Sequence, residues 1–185
     1  MSSGRVYTID PNQLPSGNSN PKSFIFYVES NTNDKLIEIL PYEKNLKCIV
    51  ASKFGKGFIA DLINVQTTQR KGKQLFNLKS GDKFIKLTNN VKTHIACVSE
   101  NSKLLVFSTK DLPILIRGRG VQLQKINNDN ALSDIQTFNI SDGMTWNIGS
   151  QLRNEKDVEF WFGKRSQVGK KVPKRFNKDL KFFND

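Results

Sequence analysis

Short apolar runs, each bounded by polar turn residues, recur along the chain and predict strands. Ile49-Val50-Ala51, Phe58-Ile59-Ala60 and Ala96-Cys97-Val98 are such runs. Leu104-Leu105-Val106-Phe107 is continuously apolar, as expected of a strand covered on both faces. Phe84-Ile85-Lys86-Leu87 mixes apolar and charged positions and predicts a half-exposed strand. Turn signals separate the runs: Gly81-Asp82, Glu100-Asn101-Ser102, Asn128-Asp129-Asn130 and Ser141-Asp142-Gly143. No helical period is sustained before residue 150, so the pattern predicts an all-β chain of small antiparallel sheets. Beyond Asp134–Ile140, read as a strand, and Gly143–Trp146, read as a turn and strand, Glu155–Phe162 predicts a short helix.

The pattern also repeats. Gly4–Ile9 leads into Leu14-Pro15, Gly55–Ala60 into Val65-Gln66, and Ser102–Phe107 into Leu112-Pro113. Val65 stands 51 positions after Leu14 and 47 before Leu112. Lys35–Ile39 aligns with Lys83–Leu87 at an offset of 83 − 35 = 48. Ser52 and Ser99 each close an apolar strand, and Gln74-Leu75 and Gln122-Leu123 are again 48 apart. Several columns at one offset mark a propeller-like repeat of about 48 residues. Tyr7 shares a column with Phe58 and Leu105, which predicts a packed core ring. The first copy lacks the strand that precedes Phe58 and Leu105 in later copies, so the chain reads as a fragment or the distal part of a longer polypeptide. An atypical last unit is expected of a capping repeat. Repeats are placed over residues 1–168, as an incomplete disc of three to four blades, and a loose basic tail over 169–185.

Charge changes the picture. The 185 residues carry 29 Lys/Arg against 17 Asp/Glu, a net +12. Residues 164–185 hold eight Lys/Arg and two Asp, which is +6 of that total. Such a balance implies a polyanionic partner, nucleic acid before an anionic membrane surface; solubility is the bland alternative. Cys48 and Cys97 lie in apolar strands without zinc spacing and suit a reducing cytosol. Met1 is followed by Ser-Ser-Gly-Arg rather than a secretory leader, and the longest apolar runs fall far short of a membrane span. The chain therefore reads as cytoplasmic and, with a DNA partner, nucleoid-associated.

The candidate chemistry sits in one recurrent column. Gln69-Arg70-Lys71-Gly72-Lys73 and Arg117-Gly118-Arg119-Gly120 are basic, glycine-bearing loops at the same place in successive units. Repeated charge at one blade position makes a stripe suited to evenly spaced phosphates. Glycine lets the backbone approach a phosphate closely. Charged solvated turns would read the same way. Lys53, Lys56 and Lys103 in the hairpin turns are weaker members of the set, and Lys164, Arg165, Lys170 and Lys171 near the end join it. No side chains are spaced for base reading, so little sequence specificity is expected. His94 has no triad partners, Tyr7, Tyr27 and Tyr42 have no activating cluster, and no Walker loop or dinucleotide fingerprint is present. No catalytic residue, metal site or cofactor site is assigned. Two readings remain: a DNA-binding module, or a propeller-like scaffold that binds an acidic protein partner.

The order of these motifs resembles the C-terminal domain shared by the A subunits of bacterial DNA topoisomerase IV and gyrase. The likeness is carried by Gly57-Phe58-Ile59 through Arg70-Lys71-Gly72-Lys73, and by Leu104–Phe107 through Asp111-Leu112-Pro113 to Gly118-Arg119-Gly120. It extends to Gly143-Met144-Thr145-Trp146 and to Trp161–Arg165, Gly169-Lys170 and Pro173, which look like an alphaproteobacterial terminal blade. The resemblance implies a β-pinwheel whose basic rim binds and bends duplex DNA. It also implies that strand passage, with ATP and magnesium, belongs to a topoisomerase catalytic core and a separate ATPase subunit, neither of which is in this chain. Gyrase carries a glutamine-arginine-arginine-glycine box for wrapping DNA; Gln69–Lys73 keeps only part of it. That departure favours the topoisomerase IV type.

Overall fold

The computed structural model describes residues 1–17, 20, 22–127 and 129–183. Asn128 of the expected turn and Asp185 of the expected tail lie outside them. The strands are β1 (Arg5–Val6), β2 (Lys47–Ser52), β3 (Lys56–Asp61), β4 (Lys73–Gln74), β5 (Phe84–Asn89) and β6 (His94–Ser99). They continue as β7 (Lys103–Ser108), β8 (Val121–Gln122), β9 (Leu132–Phe138), β10 (Met144–Ile148), β11 (Gln151–Glu155) and β12 (Lys170–Lys171). Among the described residues there is no α-helix, only short 3-10 turns.

Two antiparallel sheets hold four strands each, in the orders β5-β2-β3-β8 and β9-β6-β7-β12. Each is built on a hairpin, β2-β3 or β6-β7, whose residues are apolar on both faces. Residues facing one way from β2 and β3, Ile49, Ala51 and Ile59, join Ile95, Cys97, Leu105 and Phe107 in a core between the two sheets. Their neighbours Cys48, Val50 and Phe58 face the other way, onto Leu75, Phe76 and Phe84. On the far side of the second sheet Ala96, Val98 and Val106 pack against Met144, Trp146, Trp161, Phe176 and Phe182. The period-2 alternation of the strands thus feeds two cores at once.

The chain exchanges strands between blades. From β3 it leaves to pair β4 with β1, then returns to pair β5 with β2. After β6-β7 opens the next sheet, β8 goes back to β3 and β9 forward to β6, and β12 later returns to β7. This is a β-pinwheel, with two complete blades flanked by the two-stranded pairs β1-β4 and β10-β11.

A repeated joint links hairpin tips to their neighbours. The Lys53 amide donates to the Lys83 carbonyl (2.8 Å), and the Lys53 carbonyl accepts from the Leu132 amide (2.8 Å). One copy earlier, Ser2 donates to Lys35 (2.8 Å) and accepts from Phe84 (3.0 Å). Asp82 accepts from the Ser52 hydroxyl (2.8 Å) and the Phe54 amide (2.9 Å); Asp34 likewise accepts from the Ser3 amide (2.8 Å).

Three expectations are corrected, and one aligned segment departs from its counterpart. Lys35–Ile39 is not a strand. Its counterpart β5 has β2 alongside, whereas no described strand lies beside Lys35–Ile39; Ile37 and Leu40 still pack on the core. Tyr7 keeps the register of Phe58 but is only half-buried: its hydroxyl donates to the Glu29 carbonyl (3.2 Å) and its ring meets Phe24 edge-on. Glu155–Phe162 forms no helix, because β11 runs to Glu155 as a partner of Met144 and only Glu159–Trp161 turns, as 3-10. The segment after Gly169 is not loose. β12 pairs with β7, Phe176 and Phe182 are buried, and the Asn147 amide donates to the Phe182 carbonyl (2.7 Å).

Candidate nucleic-acid interface

Both basic loops lead directly into short edge strands. Gln69–Gly72 precedes β4, which pairs Val6↔Lys73 and Arg5↔Gln74; Arg117–Gly120 precedes β8, which pairs Gly57↔Val121 and Lys56↔Gln122. The close approach explains the glycines. Gly72 (φ +65°) and Gly120 (φ +64°) are left-handed, and a Cβ on either would stand 2.5 Å from the Val6 or Gly57 carbonyl oxygen. Gly169 repeats this against Leu104, and β12 then pairs Lys103↔Lys171. The three glycines are 120 − 72 = 48 and 169 − 120 = 49 positions apart. Lys170 and Lys171 therefore follow the third glycine on its edge strand, in the register of Lys73-Gln74 and Val121-Gln122, while Ser166-Gln167-Val168 before it carry no charge.

Glutamine fastens the first two copies. Gln74 donates through Nε2 to the Ser3 (3.0 Å) and Phe76 (2.7 Å) carbonyls. Gln122 does the same to Phe54 (2.9 Å) and Gln124 (2.7 Å). Because the edge strands pair with the hairpins, Lys56 and Lys103 sit beside the loops rather than apart from them. Arg5 holds the same column in the first copy and was missed as a candidate. The signal was available: positions 5, 56 and 103 are all basic.

The cations divide by what already holds them. Arg70 donates to the Phe26 carbonyl (3.0 Å), Lys73 to the Asn64 carbonyl (2.7 Å) and Arg165 to the Gln122 carbonyl (2.8 Å). Lys170 lies 4.7 Å from the centre of the exposed Phe160 ring. Lys53, Lys71, Arg117, Arg119 and Lys164 are exposed, and Lys56 and Lys103 half-buried. Among the described residues, the internal ion pair is Lys86–Asp134 (3.6 Å), and none of these cations has a carboxylate partner at such range. Uncompensated positive charge along equivalent blade edges attracts a polyanion. Lys53 and Lys164 stand off the loops themselves, at a hairpin tip and in the run preceding the third loop.

His94 stacks on Phe162 (5.7 Å between centres, 15° between planes), and burial lowers its pKa below the ordinary histidine value. Among the described residues no group of three His, Cys, Asp or Glu is placed to hold a metal ion. Among the described residues, no helix is long and apolar enough to cross a membrane.

No family model matches the chain. The A subunit of DNA topoisomerase 4 from Rickettsia bellii is 35% identical over 181 residues, covering 98% of this chain and 24% of that protein. The chain is homologous to the A subunit of DNA topoisomerase 4. The same protein of Caulobacter vibrioides is 31% identical over 183 residues, again 98% of this chain and 24% of the relative. The chain thus spans about a quarter of the length of these topoisomerase 4 proteins (24%). Its fold is that of the solved C-terminal domains. The E. coli ParC C-terminal domain superposes with a TM-score of 0.80 at 20% identity, over 97% of this chain and 75% of that one. The DNA gyrase A C-terminal domain superposes at 0.61 and 22% identity, over 73% and 48%. The β-pinwheel implied by the family resemblance is therefore the fold observed.

Proposed function

We propose that this chain is a non-catalytic DNA-binding and DNA-bending module of a topoisomerase IV type enzyme. The observation that carries the reading is uncompensated basic charge at equivalent blade edges, in the loops before β4 and β8 and in Lys170-Lys171 of β12 itself. Successive loops meet successive stretches of duplex phosphate, and contact made at several blades bends the DNA around the array. Binding is driven by counterion release and reads backbone, not bases. The module presents duplex to a catalytic core and ATPase partner that supply magnesium- and ATP-dependent strand passage, and so serves decatenation near the nucleoid. Arg70, the arginine of the partial gyrase-type box, is tied to the Phe26 carbonyl, which supports bending over strong chiral wrapping. The test is charge removal. Replacing Lys71, Arg117, Arg119 and Lys171 with Ala is expected to weaken duplex binding equally for unrelated sequences. Unchanged affinity, or binding only to an acidic protein, contradicts the reading.

A further inference from the structure

We propose that Arg5 is the positioning residue of the first basic loop: it fixes the backbone of Lys71–Gln74 so that Lys71 is presented to a duplex phosphate. The proposal rests on the DNA-binding reading above. The Arg5 guanidinium makes three bonds to this one loop. Its Nε donates to the Lys71 carbonyl (2.9 Å), Nη2 to the Gly72 carbonyl (3.3 Å) and Nη1 to Gln74 Oε1 (3.2 Å). The first two bonds fix the peptide planes on either side of Gly72. The third joins Arg5 to the glutamine that already clamps Ser3 and Phe76.

The opposite side of the loop is closed as well. The Gly72 amide donates to the Gln69 carbonyl (2.9 Å), and a Cβ on Gly72 would stand 2.7 Å from Cδ1 of Tyr7. The loop is therefore held between the Arg5 fork and the Tyr7 ring. Of its cations, Arg70 and Lys73 are bonded to main-chain carbonyls, which leaves Lys71 exposed for a phosphate. Lys56 and Lys103 occupy the Arg5 column in the next two sheets. A lysine is a point donor without a fork and cannot hold two peptide planes and an amide together. Holding a loop before its ligand arrives removes the ordering cost from binding.

Arg5→Lys separates positioning from charge. If Arg5 were simply another phosphate contact, the lysine would substitute for it. Positioning predicts instead that Arg5→Lys and Arg5→Ala both raise the Kd for a random-sequence 30-base-pair duplex about 5- to 10-fold, and lower the salt slope by about 1. Lys71→Ala then adds little on top of Arg5→Lys, because the two act through one contact. In the DNA-free protein, amide exchange across residues 69–74 speeds up in Arg5→Lys while strands β2 and β6 keep wild-type protection. Wild-type affinity together with wild-type loop exchange in Arg5→Lys overturns the proposal. If wild-type protein shows no salt-dependent duplex binding, the DNA reading fails and the presenting role with it. Faster loop exchange in Arg5→Lys would then still identify the clamp as real.

Discussion

The carboxylate of Asp134 accepts the Phe182 amide across 3.0 Å and so ties β9 to the segment after β12. The Phe182 ring is fully buried beside Trp146 and Phe176. This basic segment is part of the last blade's core. Phe182→Ala removes a buried ring and is expected to cost about 3–5 kcal/mol of stability, read from urea unfolding. A loss under about 1 kcal/mol would mean that the segment is not docked in solution.

The same carboxylate gives stability a pH dependence. Burial foremost pushes the Asp134 pKa above its ordinary value, against the pull of Lys86 and of the Phe182 and Ile135 amides. Between the unfolded and the raised folded pKa, the folded chain binds more protons than the unfolded one. The stability linked to this group is therefore complete below about pH 4 and is lost as pH rises through the folded value. Asp134→Asn should gain on the wild type as pH rises from about 4 to 7 in parallel unfolding curves. Asp34 runs the other way. Burial opposes its ionisation, but bonds from the Ser3 and Ser2 hydroxyls and the Ser3 amide outweigh it and hold the pKa low. Its contribution is present above the ordinary carboxylate range and lost as pH falls through the lowered value.

Gly120 tests the fit of edge strand to hairpin. Alanine there meets both the left-handed backbone (φ +64°) and the Gly57 carbonyl oxygen. Gly120→Ala is expected to cost about 2 kcal/mol or more, and to expose the amides of β8 to exchange ahead of those of β2. Neutral stability with β8 still protected would show that the edge strand leaves room for a methyl group beside Gly57.

Much of the fold was legible in the sequence, for a physical reason. Period-2 apolar runs and glycines at fixed offsets leave marks on a single chain, so β2, β3, β6 and β7 and the columns of Gly72 and Gly120 could be read directly. What depended on neighbours could not. Lys35–Ile39 has the composition of β5 but no described strand beside it, and Tyr7 has the register of Phe58 without its enclosure. Lys170-Lys171 looked like tail because the third loop lacks the Arg-rich approach of the first two, and only pairing with β7 revealed its place. The basic column of Arg5 was legible, but its clamping role was not, because the main-chain carbonyls it holds lie 66 and 67 positions away.

The two cysteines should be silent in the native state. Burial drives the Cys48 thiol up to about 12 and the Cys97 thiol higher still, with nearby Asp61 and Asp134 adding to each. Neither offers a thiolate near neutral pH. A thiol reagent such as DTNB should label neither without denaturant and both in urea. Rapid native labelling at either site would contradict the packing of β2 or β6.

The most direct test of the DNA-binding account is the salt dependence of duplex affinity. A random-sequence duplex titrated at several salt concentrations should give a plot of log K against log [salt] with a slope between about −3 and −6, as expected when several phosphates are neutralised at about 0.9 counterions each. A flat plot with weak binding throughout would contradict it.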